Sequence, residues 1–340
     1  MAADQDANKL ILESVYDQSM PGRFPILYLT EAQPEAAVLS SGVLDYLVQA
    51  MPEAVFTVVG SPDSAPLFAD TPRLQRLLVL ERETRLDWIR LWNDLRATHW
   101  GLIVDMRGTT LSGRLRRHKR AVRGAPVPGE HAVQAAARVL QLDEVPPPRL
   151  AVGPETFAAA DALVRPDGRP ILAIGVGVDW LGKRWPAERY AKVAAALLGD
   201  DGPLAGGRLL FVGAEADRDE AHTVRFAVAR NRVIEAQGRL TPLQTVAALS
   251  RADLYVGGDS LWTQLAVAAG TPTLAVFGPS DETITGPWGG VSARGPRSLD
   301  EFRALDPNLN QEIQHMMDLP AERVLRAARR LLAERAQKPA

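Results

Sequence analysis

Three turns in the second half of the chain carry the residue types that hold a phosphate. The first, Gly175-Val-Gly177-Val-Asp-Trp-Leu-Gly-Lys183-Arg184-Trp185-Pro186, places three glycines and two cations between an apolar run and a proline that opens a helix. Glycine allows close backbone approach to a ligand, and cations beside a helix N-terminus attract anions. The stretch therefore reads as a diphosphate site, though the same residues fit a solvated basic loop. The second, Gly257-Gly258-Asp259-Ser260, leads into another helix. There the first N–H groups meet a phosphate, or Asp259 or Ser260 serves only as an N-cap. The third, Val212-Gly213-Ala214-Glu215, sets a carboxylate just past a strand. Glu215 is placed to take both hydroxyls of a ribose, or simply to favour its own helix start. Neither a Gly-x-Gly-x-x-Gly fingerprint nor a Walker A loop is present, since the third glycine falls at Trp180. Gly258-Asp-Ser260-Leu-Trp262 lacks the closing glycine of a nucleophile elbow, so a serine hydrolase is disfavoured.

One basic run, Arg114, Arg116, Arg117, Lys119, Arg120 and Arg123, stands out in a chain of net charge −2. It suits an anionic acceptor or an anionic membrane surface, or else it is a solvated helix face or loop. The small net charge argues against a nucleic-acid-binding protein. Cysteine is absent, which excludes disulfides, cysteine-ligated zinc, iron–sulfur clusters and thiol catalysis. The five histidines are scattered without an i, i+4 pair, so no metal site is expected. No run reaches the ~18 apolar residues of a membrane span. The first eighteen residues are polar and acidic, unlike a secretory signal. A cytoplasmic protein with at most peripheral membrane contact is expected.

To position these turns the chain must fold as alternating strands and helices, and its 340 residues suggest about two domains. Strands are predicted at 24–30, 56–59, 77–80 and 101–105, with helices at 42–51, 86–98 and 131–142. Val145-Pro146-Pro147-Pro148-Arg149 marks a seam, because consecutive prolines neither continue a helix nor join a central strand. Beyond a helix at 154–164 that could bridge the halves, strands are predicted at 170–174, 208–212, 232–236, 254–257 and 273–277. Helices are predicted at 186–198, 215–228, 241–249 and 260–269, with a turn at 306–310 between short helices and a basic amphipathic helix at 321–337. The expected domains are 1–150 and 151–320, followed by a terminal helix, 321–340, crossing back to the first.

Taken in order, Lys183-Arg184-Trp185-Pro186-Ala-Glu-Arg-Tyr190, Val212-Gly213-Ala-Glu215, Leu243–Ala252, Gly258-Asp259-Ser260, Phe277-Gly278-Pro279-Ser280-Asp281 and Thr285-Gly286-Pro287-Trp288-Gly289 resemble glycosyltransferase family 9, the ADP-heptose:lipopolysaccharide heptosyltransferases. The resemblance covers about 170–290 and extends more faintly through 24–142. It implies an α/β GT-B fold of two Rossmann-like doubly wound domains facing a cleft, with acceptor on the N-terminal domain and donor on the C-terminal one. It further implies an inverting, metal-independent transfer of a heptose-like sugar from an ADP-sugar to a lipopolysaccharide-core or related surface glycan, at the inner face of the inner membrane. No cofactor is implied; the nucleotide sugar is substrate. Lys183 would neutralise the diphosphate with Arg184, Gly175 and Gly177 alongside. Glu215 would bind ribose, and Gly258, Asp259, Ser260 and Gln264 would form the phosphate turn. The basic run would face the anionic acceptor.

Two departures accompany the resemblance. Where the family carries Ser-x-Gly-Asp, this chain has Thr30-Glu-Ala-Gln-Pro-Glu-Ala-Ala-Val38, with Glu35 at the glycine and Ala36 at the aspartate. Glu35, Glu31 and Asp105 are the carboxylates available to replace that base. After Asp259-Ser260 the family's Gly-x-x-His becomes Leu261-Trp262-Thr263-Gln264. A catalytically degenerate nucleotide-binding or scaffold protein of a polysaccharide pathway is the competing expectation.

Overall fold

A computed structural model describes residues 24–337. The reading of the first eighteen residues therefore lies outside the described residues, as do the last three of the terminal segment. The chain divides between Ala151 and Val152 into two compact units. No helix among the described residues is long and apolar enough to cross a membrane.

The first unit is a parallel sheet of β1 (Phe24–Leu29), β2 (Ala54–Gly60), β3 (Leu74–Val79), β4 (Trp100–Asp105) and β5 (Arg117–Val122), in the order β3-β2-β1-β4-β5. Ile26, Leu27, Tyr28 and Leu29 are all buried, as a strand covered on both faces requires. Its helices are α1 (Pro34–Ala50), α2 (Arg85–Leu95), the single turn α3 (Leu111–Arg114) and α4 (Ala132–Ala137). The helix predicted from Gly42 begins at Pro34, whose fixed φ suits the first helical position. The helix predicted over 131–142 is α4 plus a 3₁₀ turn, Arg138–Leu140, and ends where Gln141 turns left-handed at φ 55°. The basic run is neither helix face nor loop; its centre is β5. Among the described residues that strand has β4 as its sole neighbour, so charged side chains are tolerated there and discourage further edge pairing.

The second unit comprises α5 (Pro154–Val164), β6 (Ile171–Gly175), α6 (Ala187–Leu198), β7 (Arg208–Phe211), α7 (Arg218–Arg225), β8 (Val233–Glu235), α8 (Pro242–Leu249), β9 (Leu254–Gly258), α9 (Leu261–Ala268), β10 (Thr273–Phe277), α10 (Glu282–Thr285), β11 (Val291–Arg294), α11 (Leu299–Leu305) and α12 (Ala321–Ala336). Its sheet is parallel in the order β11-β10-β9-β6-β7-β8. The predicted helix 215–228 is a 3₁₀ turn, Glu215–Asp217, followed by the shorter α7. α5 packs on α8, and α12 packs on α6 with Ala321, Val324 and Ala328 buried in this unit's own core.

Each sheet has one place where strand order reverses: between β1 and β4 in the first, and between β6 and β9 in the second. Loops leaving the carboxyl ends of such strand pairs diverge to opposite faces, and the crevice they leave is where α/β sheets bind ligands.

Candidate functional site

The second unit brings two of the three predicted turns together at its reversal point. Lys183 ends a 3₁₀ turn after β6, and Asp259 follows directly on β9. Lys183 Nζ lies 3.1 Å from Asp259 Oδ2 and 3.2 Å from Asp179 Oδ1. Burial works to lower the ammonium pKa, but the two carboxylates outweigh it and hold the pKa above its ordinary value. The lysine is thus kept charged at the reversal point. Arg184 turns to α7 instead, 2.6 Å from Glu220 Oε1. Ser260 occupies the N-cap position of α9 with extended backbone, yet its side chain makes no capping bond. Gln264 is buried and donates its amide to the Thr285 carbonyl at 2.8 Å, which ties α9 to the Thr285-Gly286-Pro287 turn.

The glycines of these turns have reasons inside the protein. A Cβ on Gly175 would lie 2.3 Å from the hydroxyl of buried Tyr255, and one on Gly257 would lie 2.1 Å from the same oxygen. A Cβ on Gly177 would meet Asp217 at 2.1 Å, and one on Gly258 would meet Val178 at 2.7 Å. A side chain at any of these four positions would require its neighbour to shift.

Glu215 is exposed and pairs with Arg218, three residues on, at 3.3 Å. Two residues on, Asp217 was not singled out from sequence, because an acid in a helix's first turn is ordinary. Its carboxylate is half-buried, fills the space left by Gly177 and Gly213, and accepts the Ala214 N–H at 2.7 Å. Burial raises its pKa above 3.8 against the Ala214 bond and the Arg184 charge. A carboxyl whose folded pKa exceeds its unfolded one binds its proton more tightly when folded. Stability contributed by that proton is present at low pH and lost as pH rises through the raised value. Asp217→Asn is accordingly expected to raise the melting temperature at pH 7 and leave it nearly unchanged at about pH 4. Thermal unfolding across this range checks it, and a variant less stable than wild type at pH 7 would contradict it.

In the first unit, two of the three carboxylates proposed as bases lie at the reversal point, because Leu29 pairs in register with Asp105 and Glu31 follows two residues after Leu29. Their environments differ. Asp105 is fully buried; Oδ1 accepts the Arg107 N–H at 3.1 Å, and Oδ2 accepts the Thr109 N–H and hydroxyl, each at 2.8 Å. Both oxygens accept bonds that pin the loop after β4. Glu31 forms an ion pair with Arg123. Glu35 sits in the first turn of α1, followed by Ala36, and no ion pair among the described residues engages it. Arg107, also missed from sequence, pairs with Glu83 and lies 5.4 Å over the Trp88 ring.

The basic run is not one patch. Arg117 donates to the Gly113 and Leu115 carbonyls, and Arg116 is exposed. Lys119 and Arg120 line a cavity of about 600 Å³ with Tyr46 and Arg138, whereas Arg114 lines another with Trp88 and Trp92.

Among curated proteins no sequence match is found. Solved structures are similar over almost the whole chain. A glycosyl transferase family 9 protein from Veillonella parvula DSM 2008 matches with TM-score 0.72 and 19% identity, covering 92% of this chain and 98% of that one. The E. coli ADP-heptose LPS heptosyltransferase II matches with TM-score 0.70 and 17% identity, covering 92% and 100%. E. coli heptosyltransferase WaaC with ADP matches with TM-score 0.67 and 16% identity, covering 91% and 100%. At such identities these likenesses establish the α/β fold of two parallel sheets. The family is established by sequence: the model for glycosyltransferase family 9 (heptosyltransferase) matches residues 95–295. With more than half its length matched, the chain belongs to glycosyltransferase family 9.

Proposed function

We propose that the protein is an inverting, metal-independent glycosyltransferase that moves a heptose-like sugar from an ADP-linked donor to a lipopolysaccharide-core or related surface-glycan acceptor. The observation that carries this reading is the Lys183–Asp259 pair at the reversal point of the second sheet. In the proposed reaction a carboxylate of the first unit takes the proton of an acceptor hydroxyl, whose oxygen attacks the anomeric carbon as the bond to ADP breaks. Lys183 then balances the charge that develops on the departing diphosphate, with the first N–H groups of α9 beside it. Asp259 holds the ammonium in place until the diphosphate arrives, and Glu215, exposed past β7, takes the ribose hydroxyls. No cofactor enters the scheme. E. coli WaaC, which shares the fold, has been solved with ADP and with ADP-2-deoxy-2-fluoro heptose.

The test is thermal unfolding with ADP-, UDP- and GDP-linked sugars. A donor at ~100 times its dissociation constant is expected to add about 2.7 kcal/mol to the stability of the unit that binds it. The expected order places ADP-sugars first, and no shift with any nucleotide would overturn the reading. A second reading, a degenerate nucleotide-binding or scaffold protein, is favoured by one observation: Ala36, which takes no proton, stands at the family's aspartate position. Stabilisation by nucleotide with neither sugar transfer nor donor hydrolysis would select it.

A further inference from the structure

Lys183 reaches the reversal point from a segment with little regular structure to hold it. Residues 176–180 are neither helix nor strand, and the 3₁₀ turn that follows, Leu181–Lys183, is three residues long. So short a 3₁₀ turn has poor hydrogen-bond geometry and takes its stability from tertiary contacts. Trp180 makes those contacts. Its carbonyl accepts the Lys183 N–H at 3.1 Å, so tryptophan and lysine share one turn. Its indole N–H donates to the Gln311 carbonyl at 2.9 Å. Its ring covers Gly182, where a Cβ would meet it at 2.4 Å, and lies 5.6 Å from the ring of His315. The far side of the contact is fixed in turn. Gln311 donates its own N–H at 2.8 Å to Oδ2 of Asp306, which is fully buried. The buried His315 packs edge-on against Phe302 of α11 at 5.5 Å, and Arg297 lies 4.4 Å over that phenyl ring. Trp180 itself is only half-buried, so it adds little to the core while being held at both its ring and its N–H.

We propose that Trp180 is a positioning residue for Lys183: seated on Gly182 and bonded to Gln311, it sets where the ammonium stands when the diphosphate arrives and departs. The proposal rests on the reading that Lys183 meets the diphosphate. A preorganised charge stabilises a transition state only from the right place, so the residue that fixes that place shares in the rate without touching the donor. Gly182 acquires a reason by the same geometry, because any side chain there would push the indole off its seat.

A double-mutant cycle with Lys183→Ala on the full chain tests it, read as kcat for sugar transfer and as the dissociation constant of ADP by thermal shift. Trp180→Ala is expected to lower kcat roughly 10- to 10²-fold, the scale of a misplacement of about an ångström. It should raise the ADP dissociation constant roughly fivefold. In the Lys183→Ala background the same change should alter either quantity by no more than about twofold, because the group it acts through is gone. A residue that only supports the fold would cost the same in both backgrounds. Trp180→Phe keeps a ring over Gly182 and should recover most of the rate. Gly182→Ala should slow the wild type but not the Trp180→Ala variant, in which the obstructing ring is absent. If no transfer is detected, the ADP arm of the cycle decides alone. Equal losses in the two backgrounds, or wild-type values in Trp180→Ala, overturn the proposal and leave the role of Lys183 standing. Wild-type values in Lys183→Ala remove instead the reading on which the proposal rests.

Discussion

Lys183→Ala is expected to lower kcat/KM for sugar transfer roughly 10²- to 10³-fold, the usual consequence of removing one preorganised group from developing charge. In the proposed reaction the diphosphate gains charge as the glycosidic bond breaks, so the lysine contributes more to the transition state than to the bound donor. The loss should therefore fall chiefly on kcat, with a smaller rise in the dissociation constant of ADP measured by thermal shift. Two features of the site support so large an effect. The ammonium is kept charged by Asp259 and Asp179 despite burial. Its other cationic neighbour, Arg184, is committed to Glu220 and is badly placed to substitute. Lys183→Arg preserves the charge but exchanges a compact ammonium for a wider planar group, and should recover only part of the rate. Wild-type kinetics in Lys183→Ala would remove the residue from the mechanism and with it the central observation behind the proposed function.

Which parts of this site were legible in sequence follows from how local each cause is. Central strands such as Phe24–Leu29 and Thr273–Phe277 are buried on both faces, so they read as continuous apolar runs. Edge strands have no such signature. Arg117–Val122 is dominated by cations and Val291–Arg294 is short and half-solvated, so the first was read as a helix face or loop and the second was not identified. α1 begins with a polar turn, and its apolar stripe starts only at Ala37, which hid the placement of Glu35 and Ala36 in a helix. The turns carrying Lys183 and Asp259 were visible because glycines, cations and helix starts are local features. That they pair with each other is a property of the β6–β9 adjacency, which no local pattern encodes. The glycines themselves were legible as glycines but not in their cause: Tyr255 and Asp217 claim the space, and both lie far from Gly175 and Gly177 in sequence.

The segment 299–318, read from sequence as a turn between short helices, gains a role by the same route. Asp306 and His315 are buried together, with Nε2 and Oδ2 3.6 Å apart, and the His315 ring lies 5.6 Å from the ring of Trp180. Trp180 in turn donates its indole N–H to the Gln311 carbonyl at 2.9 Å. The loop that ends in Lys183 is therefore braced from below by residues more than a hundred positions away. A loop without such bracing would be free to move its cation, and precise placement is what electrostatic stabilisation requires.

The base of the proposed reaction is the other point of large expected effect. Glu35→Gln is expected to reduce kcat by roughly 10²- to 10⁴-fold while leaving ADP binding intact, as loss of a general base does. Glu31→Gln should cost less. Glu31 already neutralises Arg123 at the end of β1, and a carboxylate engaged with a guanidinium is a poorer proton acceptor than one that is not. Among the described residues Glu35 has no such engagement, and it stands one residue before Ala36, which the resemblance aligns with the family's aspartate. The two sites are adjacent on the first turn of α1, so a carboxylate can be moved between them without altering the fold. An acid is well tolerated in a helix's first turn. Ala36→Asp in the Glu35→Gln background should therefore restore a substantial part of the rate if proton removal at this turn is the chemical need. Turnover unaffected by Glu35→Gln but abolished by Glu31→Gln would transfer the role to Glu31. Turnover absent in the wild type yet created by Ala36→Asp alone would show a donor-binding protein lacking only its base.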